Sequence, residues 1–261
     1  MTDSFRTSRE GNVARVTLCN PEKHNCFDDR LIEGLTRAFA TLDEAEDVRV
    51  IVLDAEGKSF SAGADLNWMR RMADNSHEDN LRDARGLARM LQTINMVAKP
   101  TVALVQGPTF GGGVGLAACC DIVIAGRRAS FSLSEVKLGI IPATISPYIL
   151  AAIGPRAARR YMLTAERFDA QTAASIGLVH QVVADEDLVA AGKSVVETLL
   201  ANGPNALVET KRLIFGVGGA VSEETIDETA RWIARIRATD EAREGMRAFL
   251  DKRKPNWSSG A

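Results

Sequence analysis

The sequence predicts an α/β fold in which strands alternate with helices through most of the chain and helices alone complete it. Three observations carry this. Short runs rich in β-branched residues at 13–19, 48–54, 101–106 and 121–125 have the length and composition of strands. Between the first two lies a helical pattern, with Leu31, Ile32, Leu35, Ala38, Phe39 and Leu42 on one side, and strand–helix–strand alternation marks an α/β core. From Arg156 onward the apolar spacing is largely helical.

Taken in order, VARVTLC at 13–19 alternates as a strand, and Asn20-Pro21 turns the chain. A helix begins near Asp28, and Val48 to Asp54 returns as a strand before the loop GKSFSAGADL at 57–66. Leu66 to His77 reads as irregular, its Trp68, Met69 and Met72 either covering the core or lining an apolar pocket. A helix is expected from Asn80 to Val97, ended by Lys99-Pro100. Strands at 101–106 and 121–125 then bracket a short buried helix over Val114–Cys120, and Ser130–Leu133 is a short extended piece. GIIPATISPYIL at 139–150 turns into a helix through Ile153. Further helices are expected at 156–164, 169–176, 185–201, 204–215 and 222–252, the last broken near Asp240.

Composition bounds the function. The 261 residues suffice for a sizeable core, as one large domain or one domain with an appendage. No run approaches the roughly 18 apolar residues that span a bilayer. A net charge of −2 leaves no footprint for nucleic acid beyond small clusters at Arg127–Arg128 and Arg156 to Arg160. Four cysteines, at 19, 26, 119 and 120, have neither disulfide-scaffold density nor zinc-site spacing, which suits a reducing compartment. His24, His77 and His180 are scattered, so no metal cluster is expected. The N-terminus shows no apolar signal core, and a cytoplasmic location is expected.

The candidate chemistry centres on FGGGVGLAACCDIVIAGRRASFSLSE at 110–135. Three glycines stand where a strand ends and a helix begins. That pattern fits a tight turn or close packing. It equally fits a hole in which unpaired N–H groups receive an oxygen gaining negative charge. The SAGADL loop, again glycine and alanine after a strand, offers a second donor for the same oxygen. Glu135 is flanked by Val136 and Leu138. A lone glutamate is ordinarily a solvated one, but between buried segments its pKa would rise and fit it to carry a proton near neutral pH.

These motifs resemble those of the crotonase, or enoyl-CoA hydratase/isomerase, superfamily. The resemblance runs through NPEKHN at 20–25, SFSAGADL at 59–66, KPTVALVQGPTFGGGVGLAACCDIVIA at 99–125, SEVKLGIIP at 134–142 and EGMRAFLDKRKPNW at 244–257. It implies a spiral of repeated strand–strand–helix units over residues 1–200, and a C-terminal helical region over 201–261 that assembles trimers, often paired into hexamers. It places the oxyanion-hole N–H groups on Ala64 and Gly112 and the acid/base on Glu135. Coenzyme A contacts fall on Lys23, His24, Cys26, Ala62, Asp65 and Leu66, and on Phe249 and Lys252 of a neighbouring subunit. Coenzyme A is implied only as part of an acyl-CoA substrate, without a further cofactor.

Two departures qualify this. Hydratases of the family have two glutamates, and the first position here is Gly115, a space expected to hold water or part of a branched substrate. PATISPYIL at 142–150 replaces a glycine-rich loop. SAGADLNWM, FGGGVGL and SEVKLGIIPATISPY most resemble the subgroup that hydrates 3-methylglutaconyl-CoA or its isoprenoid-tailed relatives, in leucine and terpene breakdown. Such substrates carry a remote carboxylate that Arg70 or Arg71 would receive, unless both are solvated. The expected activity is hydration of an enoyl-CoA. Double-bond isomerisation, which needs one base, is the first alternative, and an RNA-binding protein without catalysis is another.

Overall fold

The computed structural model describes residues 4–217 and 222–258. The ends of the expected domain division, 1–3 and 259–261, and residues 218–221 within its helical part lie outside the described residues.

The chain opens with a hairpin of β1 (Phe5–Glu10) and β2 (Val13–Leu18). Sequence reasoning missed β1 because FRTSRE lies on a sheet edge with nearly every side chain exposed, leaving no apolar alternation to read. In α1 (Asp29–Glu44) the side chain of Asp28 accepts the Leu31 N–H at 2.8 Å, and Leu31, Ile32, Leu35, Phe39 and Leu42 are buried along one face. Next come β3 (Val50–Ala55), α2 (Leu66–Asp74) and α3 (His77–Met96). The segment 66–77, expected to be irregular, is therefore mostly helical. Asp65 caps α2 by accepting the N–H groups of Asn67 at 2.8 Å and Trp68 at 3.1 Å. Ser76 caps α3, which starts three residues before the expected Asn80. Nine residues are too few for a helical period to stand out, so the caps carried the signal.

The next segments are β4 (Thr101–Val105), β5 (Pro108–Phe110), α4 (Gly112–Ala118), β6 (Ile122–Gly126) and β7 (Ser130–Ser132). The buried helix starts two residues earlier than Val114, because Gly111, at φ 51°, turns the chain directly into it. In α5 (Ser146–Thr164) the run is interrupted at Gly154 (φ 66°, ψ 166°), where two helices are expected. Then follow β8 (Phe168–Asp169), α6 (Ala170–Ser175), β9 (Gln181–Val183), α7 (Leu188–Leu200), α8 (Pro204–Gly216), α9 (Glu223–Arg237) and α10 (Asp240–Leu250).

The strands form two sheets, β1-β2-β3-β4-β6-β9 and β5-β7-β8. Beyond the first hairpin the larger sheet is parallel throughout. Two successive turns of the spiral each put one strand in each sheet and then a helix: β4, β5, α4, followed by β6, β7, α5. Alternate side chains of the larger sheet feed two cores. Ile51, Leu53 and Ala103 join the main core under α1, α3 and α4, whereas Val50, Val52, Val102 and Leu104 pack with Leu188, Val196 and Leu200 of α7. No helix of the described residues is long and apolar enough to cross a membrane.

One buried cation ties the helical end to the sheet. Lys211 of α8 donates to Asp121 Oδ2 at 2.7 Å, and the same oxygen accepts from the N–H and hydroxyl of Thr101, at 2.8 and 2.9 Å. Removing one partner of a buried pair strands the other, so Lys211→Met is expected to cost about 3 kcal/mol. Urea unfolding measures this, and turnover per folded molecule should be retained.

Candidate active site

Three segments are sewn together at the ends of β3 and β4. Asn25, fully buried, donates through Nδ2 to the carbonyls of Glu56 and Ser59 at 2.9 and 2.8 Å. It also accepts the Asn20 N–H at 2.9 Å through Oδ1, and its own carbonyl accepts the Ser61 hydroxyl at 2.9 Å. His24, at φ 51°, places its ring Nδ1 3.0 Å from Ser59 Oγ, and its carbonyl accepts the Ala62 N–H at 3.0 Å. On the other side of the same loop, the Phe110 N–H donates to Ser61 O at 2.9 Å, and a Cβ on Gly63 would meet Phe110 O at 3.3 Å. The SAGADL and GGG loops are thus in contact, and glycine is favoured between them, Gly63 by its φ of 93° and Gly113 because a Cβ there would meet Ser61 O at 2.5 Å. Sequence reasoning missed Asn25; its one signal was a polar residue in a turn flanked by buried segments.

This arrangement leaves the N–H groups of Ala64 and Gly112 without a hydrogen-bond partner among the described residues. Phe27 pairs with Ala64 in a parallel bridge, bonding to Gly63 O and to the Asp65 N–H at 2.7 Å each. The N–H of Ala64 itself then points to the opposite side. Gly112 is the first residue of α4, so its N–H has no intrahelical acceptor, while the Phe110 and Gly111 N–H groups just before it are taken by Ser61 O and Ser132 O.

Glu135 begins a 3₁₀ turn, Glu135–Leu138, that brings its side chain onto α4. A Cβ built on Gly111 would lie 3.1 Å from Glu135 Oε1, so the carboxyl rests against the peptide that presents the Gly112 N–H. Oε2 is buried without a hydrogen-bond partner among the described residues. Burial pushes the Glu135 carboxyl above the ordinary range. A buried carboxyl thus rests on the GGG turn, and the SAGADL loop is in contact with the same turn. That set polarises a carbonyl and moves a proton beside it.

Around this centre, Lys23 Nζ lies 3.1 Å from Asp65 Oδ2. Burial alone would raise Asp65, but the Lys23 ammonium and the α2 amides hold it below the usual range. Burial, aided by the Asp65 charge, pushes the Cys26 thiol up, which unfits it as a nucleophile. Leu66 is 69 % exposed. Arg70 and Arg71 are exposed and engaged, Arg70 with Asn67 at 2.8 Å and Arg71 with Asp29 at 2.9 Å, which matches the solvated reading. Phe249, 83 % exposed, and Lys252 lie at the end of α10, which packs on α8 and α9.

Gly115 corrects an expectation. No room for water or a branched substrate exists there: the glycine is buried under the Cγ2 methyl of Ile145, which stands where a side chain at 115 would begin. Sequence offered no signal for a contact across thirty residues and two intervening strands. Restoring an acidic group with Gly115→Glu is therefore expected to overpack the site by about 1–3 kcal/mol. Thermal melting of that variant, against one that also carries Ile145→Ala, checks this; the second change should recover most of the loss.

A family model described as enoyl-CoA hydratase/isomerase matches residues 8–260. The chain belongs to the enoyl-CoA hydratase/isomerase family. Among solved structures, an enoyl-CoA hydratase from Shewanella pealeana is 46 % identical with a TM-score of 0.94, over 98 % of this chain and 96 % of that one. The enoyl-CoA hydratase ACTT6 of Alternaria alternata is 35 % identical over 95 % of this chain and 81 % of its own. The mevalonyl-coenzyme A hydratase sidH of Aspergillus fumigatus is 31 % identical over 94 % and 91 %. For a hydratase/isomerase, the crotonase-like spiral described above is the family's fold.

Proposed function

We propose that this protein is a hydro-lyase adding water across the 2,3 double bond of an enoyl-CoA thioester, with Glu135 as its one proton carrier. The observation that carries this reading is the buried, half-unpartnered carboxyl of Glu135 beside the free N–H of Gly112. The thioester oxygen accepts hydrogen bonds from Ala64 and Gly112. The Glu135 carboxylate takes a proton from water, the water oxygen bonds to C3, and the electron pair of the double bond moves through C2 onto the thioester oxygen. The resulting enolate collapses as Glu135 returns the proton to C2, so both parts of one water molecule end on the product. Each oxyanion donor is worth about 100- to 1,000-fold in rate.

Lys23, His24, Cys26, Ala62, Asp65 and Leu66 form the wall against which coenzyme A lies, arriving as part of the substrate. Phe249 and Lys252 serve the site of another copy in a trimer or hexamer. The exposed apolar side chains of Ile214, Phe215, Ile233 and Leu250 on α8–α10 support such assembly. A substrate branched at C3, of the 3-methylglutaconyl type, is favoured by the SAGADLNWM and PATISPY motifs and by a relative named for mevalonyl-CoA, itself branched at C3.

A second reading has its own observation. Ile145 over Gly115 puts a methyl where a second water-holding carboxylate would stand, which favours a 3-enoyl to 2-enoyl isomerase: Glu135 removes a proton from C2 and returns it to C4, with no water involved. Incubation with linear 2-enoyl, linear 3-enoyl and 3-methylglutaconyl thioesters in ¹⁸O water separates the two by mass spectrometry. A labelled hydroxyacyl product, strongest with the branched diacid, supports the hydro-lyase. Unlabelled 2-enoyl product from the 3-enoyl thioester replaces it with the isomerase.

A further inference from the structure

Gly111, the N-cap of α4, and Gly115 lie a single turn apart, the Gly115 N–H donating to Gly111 O at 3.3 Å. Glu135 Oε1 sits on the first and the Ile145 side chain on the second. The stretch between these two residues folds back across the helix. The Ile140 N–H donates to Glu135 O at 3.3 Å, Gly139 turns at φ 72°, and the Ser146 N–H closes on Ala143 O at 3.2 Å. One short loop therefore delivers both the carboxyl and the methyl groups to adjacent seats. Ile145 is 1 % exposed, and Glu135 Oε2 is buried without a hydrogen-bond partner among the described residues.

We propose that Ile145 is a positioning residue: filling the seat over Gly115, it closes the α4 side of the Glu135 carboxyl to bulk water, so that the reacting water reaches it only from the substrate side, and it keeps the carboxyl on its own seat at Gly111. This rests on the reading of Glu135 as proton carrier and gives the replacement of a second carboxylate a purpose. A dry carboxyl that lacks a charged neighbour keeps its proton to higher pH, which suits one group that must both take and return a proton. The charged and titratable groups on the surrounding elements support this. Lys137 on the turn of Glu135, Tyr148 and, farther along α5, Arg156, Arg159 and Arg160, and Arg167 over the Phe110 ring are all present. None is among the causes of the upward shift of Glu135, which is led by burial. Helix α4 itself carries no titratable side chain.

Ile145→Val and Ile145→Thr test this, being alike in shape and differing by one hydroxyl that attracts water and can donate to a carboxylate. The Glu135 carboxyl is titrated by ¹³C NMR in the whole chain labelled at glutamate Cδ, its resonance identified by its loss in Glu135→Gln. In parallel, the pH profile of kcat/KM is recorded on an enoyl-CoA. The Val variant should titrate as the unsubstituted protein does. The Thr variant should titrate at lower pH, with the acid limb of its profile moving the same way. Coincident titration of the two variants would overturn the proposal. Absence of turnover in the unsubstituted protein would instead defeat the functional reading, while the NMR titration still decides the role of Ile145.

Discussion

Glu135→Gln is expected to lower kcat by about 100- to 10,000-fold, the range for removing a general acid–base, while the protein becomes more stable at neutral pH. The activity loss follows because no other carboxyl of the described residues rests against the GGG turn, and the amide can neither take a proton from water nor return one. The stability gain follows from linkage. Burial raises the folded-state pKa of Glu135 above its unfolded value, so as pH rises from the ordinary carboxyl range the unfolded chain releases its proton first. Stability therefore falls through the window between the two values and stays lower above it. Glutamine carries no such penalty. Thermal melts of both proteins at acid and neutral pH should show the variant gaining only at the higher pH, and melting curves that run parallel at both would contradict the burial account. For activity, the ionised form is the base, so the acid limb of kcat/KM should stand above the ordinary carboxyl range.

Gly111→Ala is expected to cost about 100- to 1,000-fold in kcat, comparable with losing an oxyanion donor. Gly111 adopts φ 51° and ψ −119°, a conformation that L side chains rarely take, and the added methyl would meet Glu135 Oε1 at 3.1 Å. Relieving either strain rotates the peptide that presents the Gly112 N–H or lifts the carboxyl off its seat, and both reduce transition-state stabilisation more than binding. KM for the enoyl-CoA should therefore change far less than kcat. A loss carried by KM with kcat intact would remove Gly111 from the catalytic frame.

The fold was largely legible because its signals are local. Parallel strands such as Thr101–Val105 are buried on both faces and read as continuous apolar runs, and α1 carries both its cap and its apolar stripe within the sequence. What escaped is explained physically. β1 is an exposed edge strand, and α2 is short enough that its cap, Asp65, says more than its period. In the site, the meeting of SAGADL with GGG and of GGG with Glu135 could be anticipated, because the order and spacing of these motifs resemble those of the family, although the glycines alone fit close packing equally well. Asn25 and Ile145 could not be, since their roles depend on contacts across the fold. Asn25 bonds to a loop thirty residues on, and Ile145 packs on a glycine thirty residues back, with no pattern linking either pair.

The central claim is that Ala64 and Gly112 hold a thioester enolate whose proton is carried by Glu135. Deuterium incorporation at the α carbon of an acyl-CoA, followed by mass spectrometry in D₂O with the unsubstituted protein and with Glu135→Gln, tests it most directly. The account predicts catalysed incorporation that falls by about 100-fold or more in the variant. Incorporation at the same rate in both would contradict it.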